Sequence, residues 1–325
     1  MIVDTLLGNV EDAAGAAQRA EEAGFHGAFT GEVAGDPFLP LVAAAGATRR
    51  IELGTSVAIA LARSPMTVAY TAHDLQRLSR GRLVLGLGSQ VEAHVTRRFS
   101  MPWRAPVAQL REYVLALRAI WRCWSDGEPL AFDGEHYRHT LMPPMFVPPP
   151  HEHGTPPIYL AGVGDAMTRL AGEVADGFIC HAFTTDRWVR ERTLPALAAG
   201  RAGSLDGFTV KATLFAVTGD EEQLRSRAEA VRAQLAFYAS TPSYRPVLEL
   251  HGWGDVGLEL TRLSKQGRWA DMAGCIDDEM LHAFAVVAAP DGFAAAVSAR
   301  CAGAIDRVSL LGLPDDPELV ASLSG

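Results

Sequence analysis

Eight short apolar runs, alternating almost throughout with stretches of helical character, recur along this 325-residue chain. They lie at 2–7, 28–30, 51–56, 83–87, 158–161, 178–180, 210–217 and 307–311. Helical spacing fills much of the rest, at 11–23, 37–48, 65–80, 109–124, 166–175, 221–238 and 290–302. The punctuation is chemically sensible. Gly24 and Gly81 stand where helices end, Ser64-Pro65 where one begins, and Asp220 before another. Strands that alternate with helices are parallel strands, because each right-handed crossover needs a helix. Eight βα units close most naturally into a barrel, so the expected fold is α/β, a (β/α)8 TIM barrel over residues 1–325 as a single domain. An open doubly wound sheet is the alternative on this pattern alone.

Two segments break the rhythm, 89–156 and 239–279. Both follow strands, the fourth and the seventh, and are expected as insertions on the C-terminal face of the barrel. There they would shape a substrate pocket or, with equal weight, an oligomer interface. Hydrophobic residues make up 48% of the chain and charged ones 21%, enough apolar material for a large core. No apolar run reaches membrane-spanning length, and the first residues, with Asp4 inside an apolar run, do not read as a signal peptide. The net charge of −9 argues against general nucleic-acid binding. Cys123, Cys180, Cys275 and Cys301 are far apart and read as reduced thiols of a cytoplasmic protein.

If the barrel forms, its chemistry sits after strand C-termini. Glu32 follows the second strand, where a carboxyl can act as acid or base or hold a ligand; a solvated loop carboxylate is the plain alternative. His94 follows the fourth strand, with Arg97 and Arg98 close behind, and the three together suit an anionic ligand or a solvated helix face. His181 follows the sixth strand. Gly86-Leu87-Gly88 and Gly162-Val163-Gly164 allow close backbone approach. Neither completes the dinucleotide fingerprint, because Val91 and Met167 occupy the third glycine position. The second run opens a helix, so it reads either as a phosphate-binding turn or as an ordinary βα turn. His151-Glu152-His153 lies in a proline-flanked loop and lacks the helical spacing of a zinc site, so no metal is expected.

Three blocks carry a family resemblance. RRIELGTSVAIALARSPMTVAYTAHDLQRLSRGRLVLGLGSQ, PPIYLAGVGDAMTRLAGEVADGFICH and HGWGDVGLELTRLSKQGRWADMAGCIDDEMLHAFAV resemble the luciferase-like monooxygenases, and within them the group that uses the deazaflavin coenzyme F420. The resemblance implies an insertion-bearing barrel that holds its cofactor at the strand C-termini. It puts Thr55, Ser56 and Val57 on the bulged third strand behind the cofactor ring, with a cis peptide at Ser56–Val57. It puts Gly88, Ser89 and Gln90 beside the ring, and Ala161, Gly162, Val163 and Gly164 at the phosphate turn. Glu32 falls near the ring's reactive carbon, so Glu32, His94 and His181 become the proton-handling candidates. The implied function is hydride transfer between coenzyme F420 and a small organic substrate, by a homodimer. Two alternatives accompany it. One is an FMN-dependent monooxygenase supplied by a flavin reductase, and the other a catalytically silent flavin-binding barrel.

Overall fold

The computed structural model describes residues 1–313 and 317–324. Eight parallel strands pair edge to edge and close on themselves: β1 (Ile2–Leu6), β2 (Gly27–Thr30), β3 (Glu52–Thr55), β4 (Leu83–Gly88), β5 (Ile158–Gly162), β6 (Gly177–Cys180), β7 (Thr209–Val217) and β8 (Arg307–Leu311). Closure comes from β8 beside β1, with Ile2 opposite Arg307 and Asp4 opposite Ser309. Helices surround the strands, so the architecture is the eight-stranded βα barrel and not the open sheet. Each of these eight strands falls where the sequence places it, within one or two residues at the ends.

β4 shows how sequence becomes architecture. Its side chains alternate between faces. Leu83, Leu85 and Leu87 point outward into the main core beneath the helices, while Val84 joins the barrel interior with Phe29, Tyr159 and Ile179. Gly86 and Gly88 occupy the remaining inward positions. A Cβ on Gly86 would lie 1.9 Å from the Thr55 carbonyl oxygen, and one on Gly88 2.8 Å from the Val57 side chain. The inward face is thus packed at its lower end and side-chain-free at its upper end, which leaves room for a cavity at the strand C-termini.

Helix ends follow local chemistry. Ser64 Oγ accepts from Met66 N–H at the start of Pro65–Ser79. Asp220 and Gln223 form a reciprocal capping box at the start of Glu221–Ala239, satisfying two otherwise orphaned N–H groups. No helix among the described residues is long and apolar enough to cross a membrane. Cys123, Cys180 and Cys301 are buried, Cys275 is half-buried, and all four are free thiols.

The two insertions behave differently from each other. After β4, the helix Pro106–Asp126 is the barrel's own crossover helix, packed against Pro65–Ser79 and Asp165–Val174. The proline-rich stretch beyond it does not extend the catalytic face as expected. It runs down the outside of helix Pro65–Ser79, where Tyr70 donates to the Phe146 carbonyl (2.7 Å) and His73 meets the Pro149 carbonyl (3.0 Å). His151 and His153 belong to this aromatic seam, and no metal-holding cluster occurs among the described residues. After β7, the helices Arg245–Leu250, Gly254–Lys265, Trp269–Met272 and Asp278–Phe284 build a second hydrophobic cluster with Glu221–Ala239. A short strand, Ala285–Val287, then pairs with the end of β7. Sequence patterning misses that strand because it follows the helix Asp278–Phe284 directly, with no turn residue to mark where it begins.

Candidate active site

A cavity of about 1290 Å³ opens at the C-terminal ends of the strands. Its floor includes Phe29 and Ile179, from the apolar layer that fills the barrel interior. Beneath that layer lies a buried ion cluster. Asp4 Oδ2 contacts Lys211 Nζ at 2.7 Å and Arg307 Nε at 2.6 Å, and Lys211 Nζ also meets Ser309 Oγ at 2.6 Å. The cavity is therefore closed at the bottom by a ring and two cations.

Nine of the ten residues placed around the cofactor by sequence line this cavity: Ser56, Val57, Gly88, Ser89, Gln90, Ala161, Gly162, Val163 and Gly164. Thr55 does not. It is fully buried, and its hydroxyl donates to the Gly86 carbonyl (2.6 Å), so it stitches β3 to β4 behind the cavity wall. The Ser56–Val57 peptide is cis, as the resemblance implied. Gln90 adopts a left-handed backbone with φ 62°.

The glycine turn after β5 is informative. Neither Gly162 nor Gly164 has a positive φ, so the turn's backbone does not demand glycine. A Cβ on Gly164 would touch nothing within 4 Å, and Gly164 caps the ten-residue helix Asp165–Val174. The first N–H groups of a helix have no intrahelical partners and carry the positive end of its dipole. A bare helix start at the wall of a large cavity suits an anionic group such as phosphate.

The three proton-handling candidates separate. His94 sits on the short helix Glu92–Arg97, exposed to solvent, and does not line the cavity, as also holds for Arg97 and Arg98. The helix turns Val95 toward the core instead, and His94 faces away with it. Glu32 lines the cavity with its side chain only 4% exposed, but Oε2 is engaged: Arg63 Nη1 lies at 2.5 Å and the Ile59 N–H at 2.7 Å. Arg63 also reaches Asp36 at 3.2 Å. Burial pulls the Arg63 guanidinium down, but Glu32 and Asp36 outweigh it and the net shift is upward. Glu32 is thus one end of an ion-paired strut between the loops after β2 and β3.

His181 lines the cavity as anticipated. Its Nδ1 accepts from the Phe183 N–H (3.0 Å), its Nε2 meets Tyr244 Oη at 3.1 Å, and its ring stacks on Tyr244 with centroids 4.6 Å apart. Burial lowers its pKa to about 4, so the ring is neutral at pH 7. Burial, followed by the nearby Tyr238, raises Tyr244 to about 12. Cys180 also reaches the cavity, but burial raises its thiol to about 12, so it is not a nucleophile.

Sequence reasoning missed Tyr244, Tyr238, Gln234 and Trp103, all of which line the cavity. Tyr244 and Trp103 come from the two insertions, both expected to shape a pocket, whereas Gln234 and Tyr238 sit on the helix Glu221–Ala239. Their place at the cavity depends on how these segments pack, and no local pattern reveals that. The lining includes the carboxylates Glu11, Glu32, Asp36 and Glu92 and, among the described residues, no lysine or arginine.

Residues 4–307 match the family model described as luciferase-like monooxygenase. The chain belongs to that family. This luciferase-like protein is 51% identical to an uncharacterised protein of Mycobacterium tuberculosis, over 91% of this chain and 88% of the relative. It is 30% identical to a putative coenzyme F420-dependent oxidoreductase of the same organism, over 81% of this chain and 79% of the relative. Its fold is similar to that of a coenzyme F420-dependent tetrahydromethanopterin reductase from Methanopyrus kandleri. The TM-score is 0.78 at 19% identity, with 99% of this chain and 96% of that chain covered. Members of the luciferase-like family are oxidoreductases and monooxygenases, and the barrel with its cavity at the strand ends is the shared frame.

Proposed function

We propose that this protein is a coenzyme F420-dependent oxidoreductase that transfers a hydride between the deazaflavin and a small organic substrate. One observation supports it above the others. Three segments distant in sequence, Ser56-Val57, Gly88-Ser89-Gln90 and Ala161 to Gly164, line one cavity. Its volume of about 1290 Å³ exceeds the roughly 300–1,000 Å³ of an ordinary small-molecule site, so a tricyclic cofactor and a substrate fit together. Relatives named for coenzyme F420 favour the deazaflavin over FMN.

In this reading Val57 and Gly88 form the wall behind the ring. Ser89 and Gln90 flank it, and the helix start at Gly164 receives the phosphate. When bound, the deazaflavin supplies or accepts the hydride. The protein orients the ring, keeps water from it and handles one proton. Glu32 is assigned a positioning role through Arg63, and the hydrogen-bonded pair His181–Tyr244 the proton-handling one. The exposed His94 has neither. The chain is further proposed to act as a single-domain, cytoplasmic homodimer, which light scattering would contradict by giving a monomer mass near the chain's 34.8 kDa.

The test is a titration of the purified protein with coenzyme F420 and with FMN. Micromolar or tighter binding of F420, and clearly weaker binding of FMN, is expected. FMN bound at least about tenfold tighter, a difference of about 1.4 kcal/mol, would make it an FMN-dependent monooxygenase served by a separate reductase. A cofactor bound without turnover of any substrate would make it a silent flavin-binding barrel.

A further inference from the structure

His181 is locked as a hydrogen-bond donor by its own loop. The Phe183 N–H donates to Nδ1 (3.0 Å), so Nδ1 carries no proton. The neutral ring then has its proton on Nε2. Nε2–H points at Tyr244 Oη, 3.1 Å away, and Oη accepts it. The Tyr244 hydroxyl proton is left over. No other protein group among the described residues hydrogen-bonds to Oη, and Tyr244 lines the cavity. The opposite polarity would need a proton on Nδ1, which would face the Phe183 N–H donor to donor. The pair therefore presents a proton to the cavity and cannot readily remove one from a ligand.

The cavity's charge adds a second constraint. Four carboxylates line it and no lysine or arginine does, among the described residues. Two of them, Glu32 and Asp36, are ion-paired with Arg63, whereas Glu11 and Glu92 are exposed. An anionic substrate meets repulsion there, and an uncharged one does not.

We propose that Tyr244, held by His181, donates the proton to the carbonyl oxygen of an uncharged ketone or aldehyde that is reduced in this cavity. The proposal rests on the hydride-transfer reading above. Hydride from the reduced deazaflavin forms the new C–H bond at the carbonyl carbon as the C=O π pair moves onto oxygen. The Tyr244 proton forms the O–H bond of the product alcohol. The phenolate oxygen left on Tyr244 is held by His181 Nε2–H and takes a proton from water. Tyr244, pushed up to about 12 by burial, keeps its proton at neutral pH until the more basic alkoxide forming on the substrate takes it. In this scheme Tyr244 is the catalytic residue and His181 a positioning residue.

Two kinds of measurement test it. The first needs no cofactor: the C=O stretch of acetophenone bound to the protein, and ¹⁵N shifts of the histidine ring. In the wild type the stretch should move to lower frequency, and His181 should show a bare Nδ1 and a protonated Nε2. Tyr244→Phe should return the stretch to its unbonded position without changing the His181 tautomer. A protonated Nδ1, or a stretch unchanged between wild type and Tyr244→Phe, overturns the proposal. The second compares loaded enzymes. Tyr244→Phe should bind F420 as the wild type does and reduce acetophenone about 10²–10⁴-fold more slowly. Retained activity in Tyr244→Phe overturns the donor role while the cofactor reading stands. Faster turnover of benzoylformate, an anionic ketone, overturns the charge selection. Failure of the wild type to bind F420 defeats the cofactor reading instead, and the acetophenone stretch still judges the hydrogen bond by itself.

Discussion

The Lys211 ammonium sits 4.1 Å from the centre of the Phe29 ring, beneath the floor of the cavity. Lys211 is fully buried, and burial lowers its pKa to about 8 even though Asp4 opposes the shift. Arg307 contacts Asp4 through two nitrogens, at 2.6 and 2.9 Å. Asp4 is thus the anion common to two buried cations. Asp4→Ala is expected to cost about 3–5 kcal/mol, the cost of leaving buried charge unpaired. Lys211→Met should cost less than half as much, because Asp4 keeps Arg307. Denaturant unfolding midpoints measure both, and equal losses would show that the two cations are not partners of one carboxylate.

Gly86 and Gly88 make different demands. An alanine at 86 drives its Cβ into the backbone oxygen of Thr55, which cannot move without bending β3. At 88 the contact is with the Val57 side chain, which can shift. Gly86→Ala should therefore lose at least about 1–3 kcal/mol, the usual cost of overpacking, and more than Gly88→Ala does. Gly88→Ala is expected to act mainly on cofactor affinity. Thermal unfolding of the two variants beside a cofactor titration separates these effects.

Gly164→Val should leave the fold intact and remove cofactor binding. The backbone there has φ −82° and the Cβ meets no protein atom, so neither sterics nor backbone strain opposes the substitution, and valine's poorer N-cap character is the one small cost. The new side chain would crowd the helix start assigned to the phosphate. A melting temperature lowered by no more than a few degrees, with lost affinity, is the expected pair of results. Wild-type affinity would move the phosphate elsewhere.

Glu32→Gln keeps an oxygen for the Ile59 N–H but loses the charge opposite Arg63. As a strut, it should cost about 1–3 kcal/mol of stability, the range for a hydrogen bond to a charged group, and lower turnover less than about tenfold. A general acid would instead lose about 10²–10⁴ in turnover with little change in stability. Steady-state kinetics beside a melting curve distinguishes the roles.

Acid sensitivity should trace to His181. Its folded pKa, about 4, lies below the ordinary value of 6.5, so the unfolded chain binds the extra proton first. The stability of the neutral buried ring is fully present above pH 6.5 and is lost as pH falls toward 4. The rings of Tyr238 and Tyr244 pack on it, and Tyr244, pushed up to about 12, stays uncharged through this window. His181→Gln should flatten the decline in unfolding midpoint over that range. An identical decline in both proteins would place the acid sensitivity elsewhere.

The barrel was legible in the residues because its determinants are local. Strand runs such as 83–87, the Asp220 cap and the glycines after helices each specify a short piece of backbone, and parallel strands joined by helices have few ways to close. Most of the cavity lining was legible for the same reason, since Ser56, Gly88 and Gly162 sit at strand ends. What the sequence could not decide was direction and partnership. Thr55 and Ser56 are neighbours, yet the hydroxyl of one is buried against Gly86 and the other residue faces the cavity. His94 lies just beyond β4, but its helix turns it to solvent. Glu32 meets Arg63 thirty-one positions away, and Tyr244 reaches His181 across sixty-three. Contacts at such separations depend on how the loops after different strands pack against one another. That packing belongs to the folded molecule, where burial and hydrogen-bond satisfaction are settled over all segments at once.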